Sequence, residues 1–275
     1  MLTLKHRRAD VPRSSHGAES PRAARALRGT VRRAAERLAA ARLALVLPLA
    51  LACLQACAAP AATSPASGAT VPPDINKPFL DPAVNVDDFV KAFEGESREI
   101  ARRSAGIVAT LELRPGMDVA DIGAGTGLFM QPLAEAVGTG GTVHEVDLAP
   151  AFVEHLRRRA SALALPQVQV RACTDRSVVL PDASVDVAFV CDTYHHFEHP
   201  RETLSSLKAA LRPGGRLVVV DFERTEGRSR DWVLRHVRLG KDGTRAEIEA
   251  AGFRFLDEPH VEGLSENYVL RFTRP

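Results

Sequence analysis

The stretch Val119-Ala120-Asp121-Ile122-Gly123-Ala124-Gly125-Thr126-Gly127 is a short apolar run that carries one acid and then breaks into three alternate glycines. Asp118–Ile122 reads as a strand. Leu128–Val137, with Leu133 and Val137 on one face, reads as a helix. Glycines between them let the backbone turn sharply and approach a ligand closely. A strand, a glycine turn and a helix in that order open a βαβ unit, so this segment sets the expectation for the whole body.

The same alternation continues outward. Thr142–Asp147, Val168–Cys173, Val185–Cys191 and Arg216–Phe222 are short apolar runs that read as strands. Between them Pro150–Leu163 and Pro200–Leu211 have helical periods, each opened by a proline at its first position. Thr244-Arg245-Ala246-Glu247 has the spacing of a capping box opening a short helix that stops at Gly252. Phe253–Leu256 and Asn267–Thr273 close the chain as strands. Ahead of the glycine motif, Val86–Leu111 carries apolar residues at helical spacing and predicts one or two amphipathic helices as a cover. The fold class expected is α/β, with a doubly wound, mostly parallel sheet.

The glycine spacing narrows the chemistry. A dinucleotide fingerprint wants glycine at 128, where Leu128 stands, and no Lys-Ser or Lys-Thr follows to grip phosphates. Asp121 stands before the glycines, where it would repel a pyrophosphate and attract an ammonium. A second acid, Asp147, ends the next strand 20 residues after Gly127. Ligands of such sheets bind beyond the carboxyl ends of the strands, and a carboxylate there can accept hydrogen bonds from ribose hydroxyls.

With these motifs in place, residues 86–274 resemble the class I S-adenosylmethionine-dependent methyltransferases. Asp121–Gly127 is similar to their first motif and Val143–Asp147 to their second strand. Leu180–Val187 resembles their approach to strand four, and Leu211–Leu217 their turn into strand five. The resemblance implies a seven-stranded sheet whose last strand is antiparallel, and S-adenosyl-L-methionine as cofactor. Carried over by position, Gly123, Gly125 and Gly127 would face its methionine part. Asp121 would favour its ammonium, and Asp147 would hold its ribose. The pair after strand three, Thr174-Asp175, would meet adenine, with Asp175 the residue chosen.

Cys191-Asp192-Thr193-Tyr194-His195-His196-Phe197-Glu198-His199-Pro200 holds three of the nine histidines within five residues. It matches in position a loop that in small-molecule relatives lies beside the transferable methyl. Methyl transfer asks the protein to align nucleophile and methyl, and sometimes to remove a proton. Tyr194 and His195 are therefore candidates for acceptor contact or base, and Asp192 for orientation. Asp192, His195, His196 and His199 are all possible metal ligands. Their segment precedes the helix start at Pro200, so the His spacing is not helical and no metal is expected. Glu94, Arg98 and Glu99 could line the cofactor pocket, and the segment Asp231–Leu239 could shape the acceptor pocket.

Charge divides the chain. Residues 1–42 hold eleven Lys/Arg and three acids, a surplus of eight positive charges within an overall net charge of +2. The rest is mildly acidic, which argues against a nucleic-acid surface. After the basic head, Leu43–Leu54 is uncharged and apolar, long enough for a secretory signal; the uncharged run reaches spanning length only by including Gln55 and Pro60, so a spanning anchor is the second choice. Leu54-Gln55-Ala56-Cys57 resembles a bacterial lipobox. The organisation expected is a basic head and signal over 1–57, an Ala/Pro/Ser linker over 58–85, and a methyltransferase domain over 86–275. This reading implies a lipoprotein anchored through Cys57 and facing the periplasm or the cell exterior. A start codon assigned too early would instead leave a cytoplasmic enzyme. The function expected is methyl transfer to a small-molecule acceptor. The alternative is an exported lipoprotein that binds a nucleoside without turnover, because the cofactor is made in the cytoplasm.

Overall fold

The computed structural model of the chain describes residues 71–72, 74–95 and 98–275. The basic head, the apolar run and Cys57 lie outside them. The body is built on a seven-stranded sheet in the order β3-β2-β1-β4-β5-β7-β6. Its strands are β1 (Asp118–Ile122), β2 (Thr142–Asp147), β3 (Val168–Ala172), β4 (Val185–Cys191), β5 (Leu211–Phe222), β6 (Arg254–Asp257) and β7 (Asn267–Thr273). β1 to β5 are parallel, and β7 runs antiparallel to both neighbours. This is the sheet expected, including the reversed last strand.

Among the described residues, four short helices precede β1: α1 (Lys77–Leu80), α2 (Val86–Phe93), α3 (Glu99–Arg102) and α4 (Ser104–Thr110). Then come α5 (Met130–Val137), α6 (Pro150–Ala162), α7 (Pro200–Ala210), α8 (Asp231–His236) and α9 (Lys241–Ala250). The period-two alternation of the strands divides their side chains between two cores. Val119, Val187, Phe189 and Val218 face one core, which Ile107, Leu111, Leu133 and Val137 complete from α4, its end and α5. Ala120, Ile122, Ala188, Val190 and Val219 face the other, closed by Leu204 and Leu207 of α7 and Ile248 of α9. Truncating a fully buried leucine such as Leu133 or Leu207 would cost roughly 2–5 kcal/mol.

Two expectations about the body need correction. The linker expected to run to residue 85 ends earlier, because Ile75 and Asn76 are buried and α1 follows at once. Ile75 is buried, and Asn76 hydrogen-bonds to His196 and Glu198. The helix expected to open at Thr244 starts a turn sooner, with Gly240 as its N-cap. Thr244 is buried within it and receives a hydrogen bond from Tyr268. Glu247 serves Tyr194 and Arg238 rather than the helix end.

Candidate active site

A cavity of about 700 Å³ opens at the carboxyl edge of β1, β2 and β4. That volume suits a small-molecule ligand. Its floor is the glycine loop. Gly123, Gly125 and Gly127 all have positive φ, at 71°, 56° and 80°. A Cβ on Gly123 would stand 2.2 Å from Cγ2 of Thr193, so this glycine lets the β1 loop close against the loop after β4. A Cβ on Gly125 would meet nothing nearer than 3.8 Å. Its surroundings are open, and the positive φ together with access for a ligand accounts for glycine there.

Asp147 locks this floor in place. One carboxylate oxygen accepts from the Gly125 amide at 2.8 Å, the other from the Ala149 amide at 2.9 Å. Burial raises its pKa, and these amides work against that rise. A carboxylate offers about four lone-pair sites, so two bonds leave capacity for a ligand hydroxyl. Asp121 is 2% exposed, lines the cavity, and its Oδ2 accepts no hydrogen bond among the described residues. Burial, reinforced by the nearby Asp147 charge, lifts its pKa to about 7. An unpartnered acid facing a cavity has a site for a cation or an N–H donor.

β4 delivers the next group. Asp192 has φ +48°, a left-handed conformation tolerated by aspartate and often found at functional sites. Its carboxylate pairs with Arg98 and accepts from Asn267. Burial lifts its pKa to about 6, with Arg98 pulling the other way. His195 is 3% exposed and lines the cavity. Its Nδ1 stands 2.7 Å from Oδ1 of Asp221, at the end of β5, and its amide donates to Oδ2 of the same carboxylate. Asp175 reaches only the exposed rim, where it pairs with His199 at 3.2 Å.

Tyr194 does not belong to this site. It is 1% exposed, packs on Phe197 in the second core, and donates its hydroxyl to Glu247. Burial and the Glu247 charge push its pKa well up, which opposes a role as a base. The short 3-10 turn Tyr194–His196 sends consecutive side chains in different directions, so only His195 and His196 reach the cavity. Of the helical-cover residues, Arg98 and Glu99 line the cavity, while Glu94 pairs with Arg159 at 2.7 Å. Glu99 accepts from the amides of Ser265 and Glu266, which anchors the cover to the loop before β7.

Several residues of the site lie beyond those singled out from sequence, among them Asp221, which stands behind His195 rather than in the cavity lining. Asp221 had a visible signal, an acid closing the apolar run Leu217–Val220. Asn76 had none, since it sits where a linker was expected. Its amide nitrogen donates to the carbonyl of His196 at 3.1 Å and to Glu198 at 2.8 Å. Phe79, Phe93 and Phe152 line the cavity as apolar rings, and Trp232 and His236 of α8 line it as well.

Solved methyltransferases share this architecture. A S-adenosylmethionine-dependent methyltransferase from Aquifex aeolicus superposes with a TM-score of 0.62 over 70% of this chain and 99% of its own, at 23% identity. The body has the class I methyltransferase fold. Residues 120–219 match the family described as a methyltransferase domain. The nocamycin O-methyltransferase of Saccharothrix syringae is 32% identical over 143 residues, covering 52% of this chain and 50% of that one. A ubiquinone/menaquinone biosynthesis C-methyltransferase of Bordetella avium is 28% identical over 156 residues, covering 55% and 59%. The match thus spans roughly half the length of these curated relatives. Within the methyltransferase fold, the matched segment carries the glycine loop, Asp121, Asp147 and the loop after β4.

Proposed function

We propose that this chain transfers a methyl group from S-adenosyl-L-methionine to a small-molecule acceptor. The observation that carries the proposal is the unpartnered, buried Oδ2 of Asp121 beside an open glycine loop, in a cavity of ligand size. These residues fit the cofactor. Asp121 would accept its ammonium, the Gly123–Gly127 backbone would lie against its methionine portion, and Asp147 would receive its ribose hydroxyls. Asp175 at the rim would meet the adenine end. When bound, the cofactor supplies an electrophilic methyl on a sulfonium.

The chain's own contribution is alignment in a cavity with apolar walls. Asp221 accepts from Nδ1 of His195, so the neutral form of the ring carries its lone pair on Nε2. That nitrogen can receive a hydrogen bond or a proton from an acceptor hydroxyl. Asp192, held by Arg98 and Asn267, orients the same end. The acceptor-side wall of Phe222, Trp232 and His236 is mainly aromatic, which supports a small organic acceptor rather than a polymer.

Calorimetric titration of the full chain with S-adenosylmethionine, S-adenosylhomocysteine and NAD tests this reading. Binding of the first two without NAD supports it. Binding of NAD alone overturns it. Membrane anchoring at Cys57 is a separate proposal, resting on the Leu54–Cys57 motif.

A further inference from the structure

We propose that His195, His196 and His236 form a binding site for one divalent transition-metal ion at the acceptor end of the cavity. Each offers a ring nitrogen, and the three nitrogens lie within 4.8 Å of one another. They come from two elements, the 3-10 turn after β4 and the last residue of α8. The His236 ring centroid is 5.2 Å from those of both His195 and His196, which stand 4.3 Å from each other. Metal–nitrogen distances near 2.0–2.1 Å imply ring centroids roughly 5 Å apart around one tetrahedral ion.

Hydrogen bonding around the cluster presets two of the ligands. The Asn76 amide donates through its nitrogen to two acceptors, the His196 carbonyl and Glu198. Its oxygen therefore faces Nδ1 of His196, at 3.1 Å, and that nitrogen must carry the hydrogen. The Asp221 carboxylate imposes the same tautomer on His195 at 2.7 Å. Both rings are left with Nε2 as the lone-pair nitrogen, and neither Nε2 accepts a hydrogen bond from a described residue. A ligating histidine whose other nitrogen donates to a carboxylate or carbonyl is the usual outer-sphere support of a metal site.

The donor set defines the ion. Three imidazoles suit zinc, cobalt, nickel or copper and offer nothing to magnesium or calcium, which take oxygen ligands. Three protein ligands leave a fourth position, as in catalytic rather than structural sites. All three histidines line the cavity, from which a fourth ligand could come. On the methyltransferase reading the fourth position would hold an acceptor oxygen or sulfur, whose proton leaves to water with no change of oxidation state. The ion would then occupy the His195 lone pair, so metal binding and proton acceptance at Nε2 exclude each other.

The test uses the untagged full chain, stripped with a chelator, desalted, and titrated with Co²⁺ and then Zn²⁺. The expected result is stoichiometric Co²⁺ with the visible absorption of a low-coordinate site, abolished by Zn²⁺. His236→Ala and His196→Ala should each weaken binding roughly tenfold or more, and Asp221→Asn should do so through His195. His260→Ala should leave it unchanged. Thermal unfolding of every variant separates loss of the site from loss of the fold. Absence of bound cobalt in folded wild-type protein, or wild-type affinity in folded His236→Ala and His196→Ala, overturns the proposal. S-adenosylhomocysteine titration of the same samples distinguishes this outcome from failure of the methyltransferase reading.

Discussion

Asp121 and Glu145 occupy paired positions in the parallel register of β1 and β2, and both are buried. Neither Glu145 oxygen accepts a hydrogen bond among the described residues, and the same holds for Oδ2 of Asp121. Burial, and then the Asp121 charge, push the Glu145 pKa well above the ordinary carboxylate range, against an opposing pull from Arg159. Two acids on one face of a sheet, with no hydrogen-bonded cation between them, compete for the same protons.

This pairing makes the fold more stable in mild acid. A carboxyl whose folded pKa is raised holds its proton in the native state after the unfolded chain has released it. Stability therefore falls as pH rises from the unfolded value near 4.5 toward the folded one. Glu145→Gln removes the ionisable group. It should stabilise the protein by about 1 kcal/mol or more at pH 8, with the difference shrinking toward pH 4.5. Thermal melts of both proteins across that range check the sign, and a constant offset would count against it.

Cofactor affinity should rise with pH from 6 to 7.5. Only the ionised form of Asp121 attracts an ammonium, and a pKa of about 7 means that form grows across this interval. The expected gain is several-fold, measured below the titration of the ligand's own amine near 7.7–8.0. Asp121→Asn should bind more weakly and lose the dependence. A flat wild-type profile would separate Asp121 from the ammonium.

Asp147→Ala should lower S-adenosylhomocysteine affinity by roughly ten- to hundredfold, since it removes a ribose acceptor and also frees the Gly125 amide. Gly125→Val should be more damaging, because a β-branched residue is strained at φ +56° and its side chain enters the open space. Calorimetry on folded variants reads both. Normal binding by Gly125→Val would mean that the loop does not touch the ligand.

Tyr194 and His195 should separate cleanly. Tyr194→Phe removes one hydroxyl from a buried contact that Arg238 continues to satisfy at Glu247, so it should cost about 1–2 kcal/mol of stability. Cofactor affinity should not change. His195→Ala should lower turnover on a genuine acceptor by roughly 10²–10⁴ with cofactor affinity nearly intact. Equal turnover losses for both variants would contradict the divergence of the two side chains.

Mass spectrometry of the membrane fraction from a bacterial host should find a mature chain beginning at Cys57 and carrying acyl groups. A soluble chain beginning downstream of Cys57 would refute lipidation and favour a cytoplasmic enzyme.

The sheet was legible from sequence because each strand is a short apolar run bounded by turn residues, and the glycine loop is a local signal. Asp121 and Asp147 were legible for the same reason, being acids at strand ends. Tyr194 was misread because sequence order in a tight turn does not say which way each side chain leaves it. The histidine cluster was half legible. His195 and His196 stand together in the chain, but the third member, His236, arrives from α8 across 40 residues, and no spacing rule links them. Asn76 was hidden by its composition, since only the folded chain brings it 120 positions forward to His196.

That last contact moves the practical edge of the domain. A fragment cut at Val86, where the helical periodicity begins, would retain every strand of the sheet and the whole glycine loop. It would still lack Asn76 and Phe79, the amide that orients His196 and a ring of the cavity wall. Such a fragment would report on a different pocket, with His196 released from the amide that sets it in the intact chain.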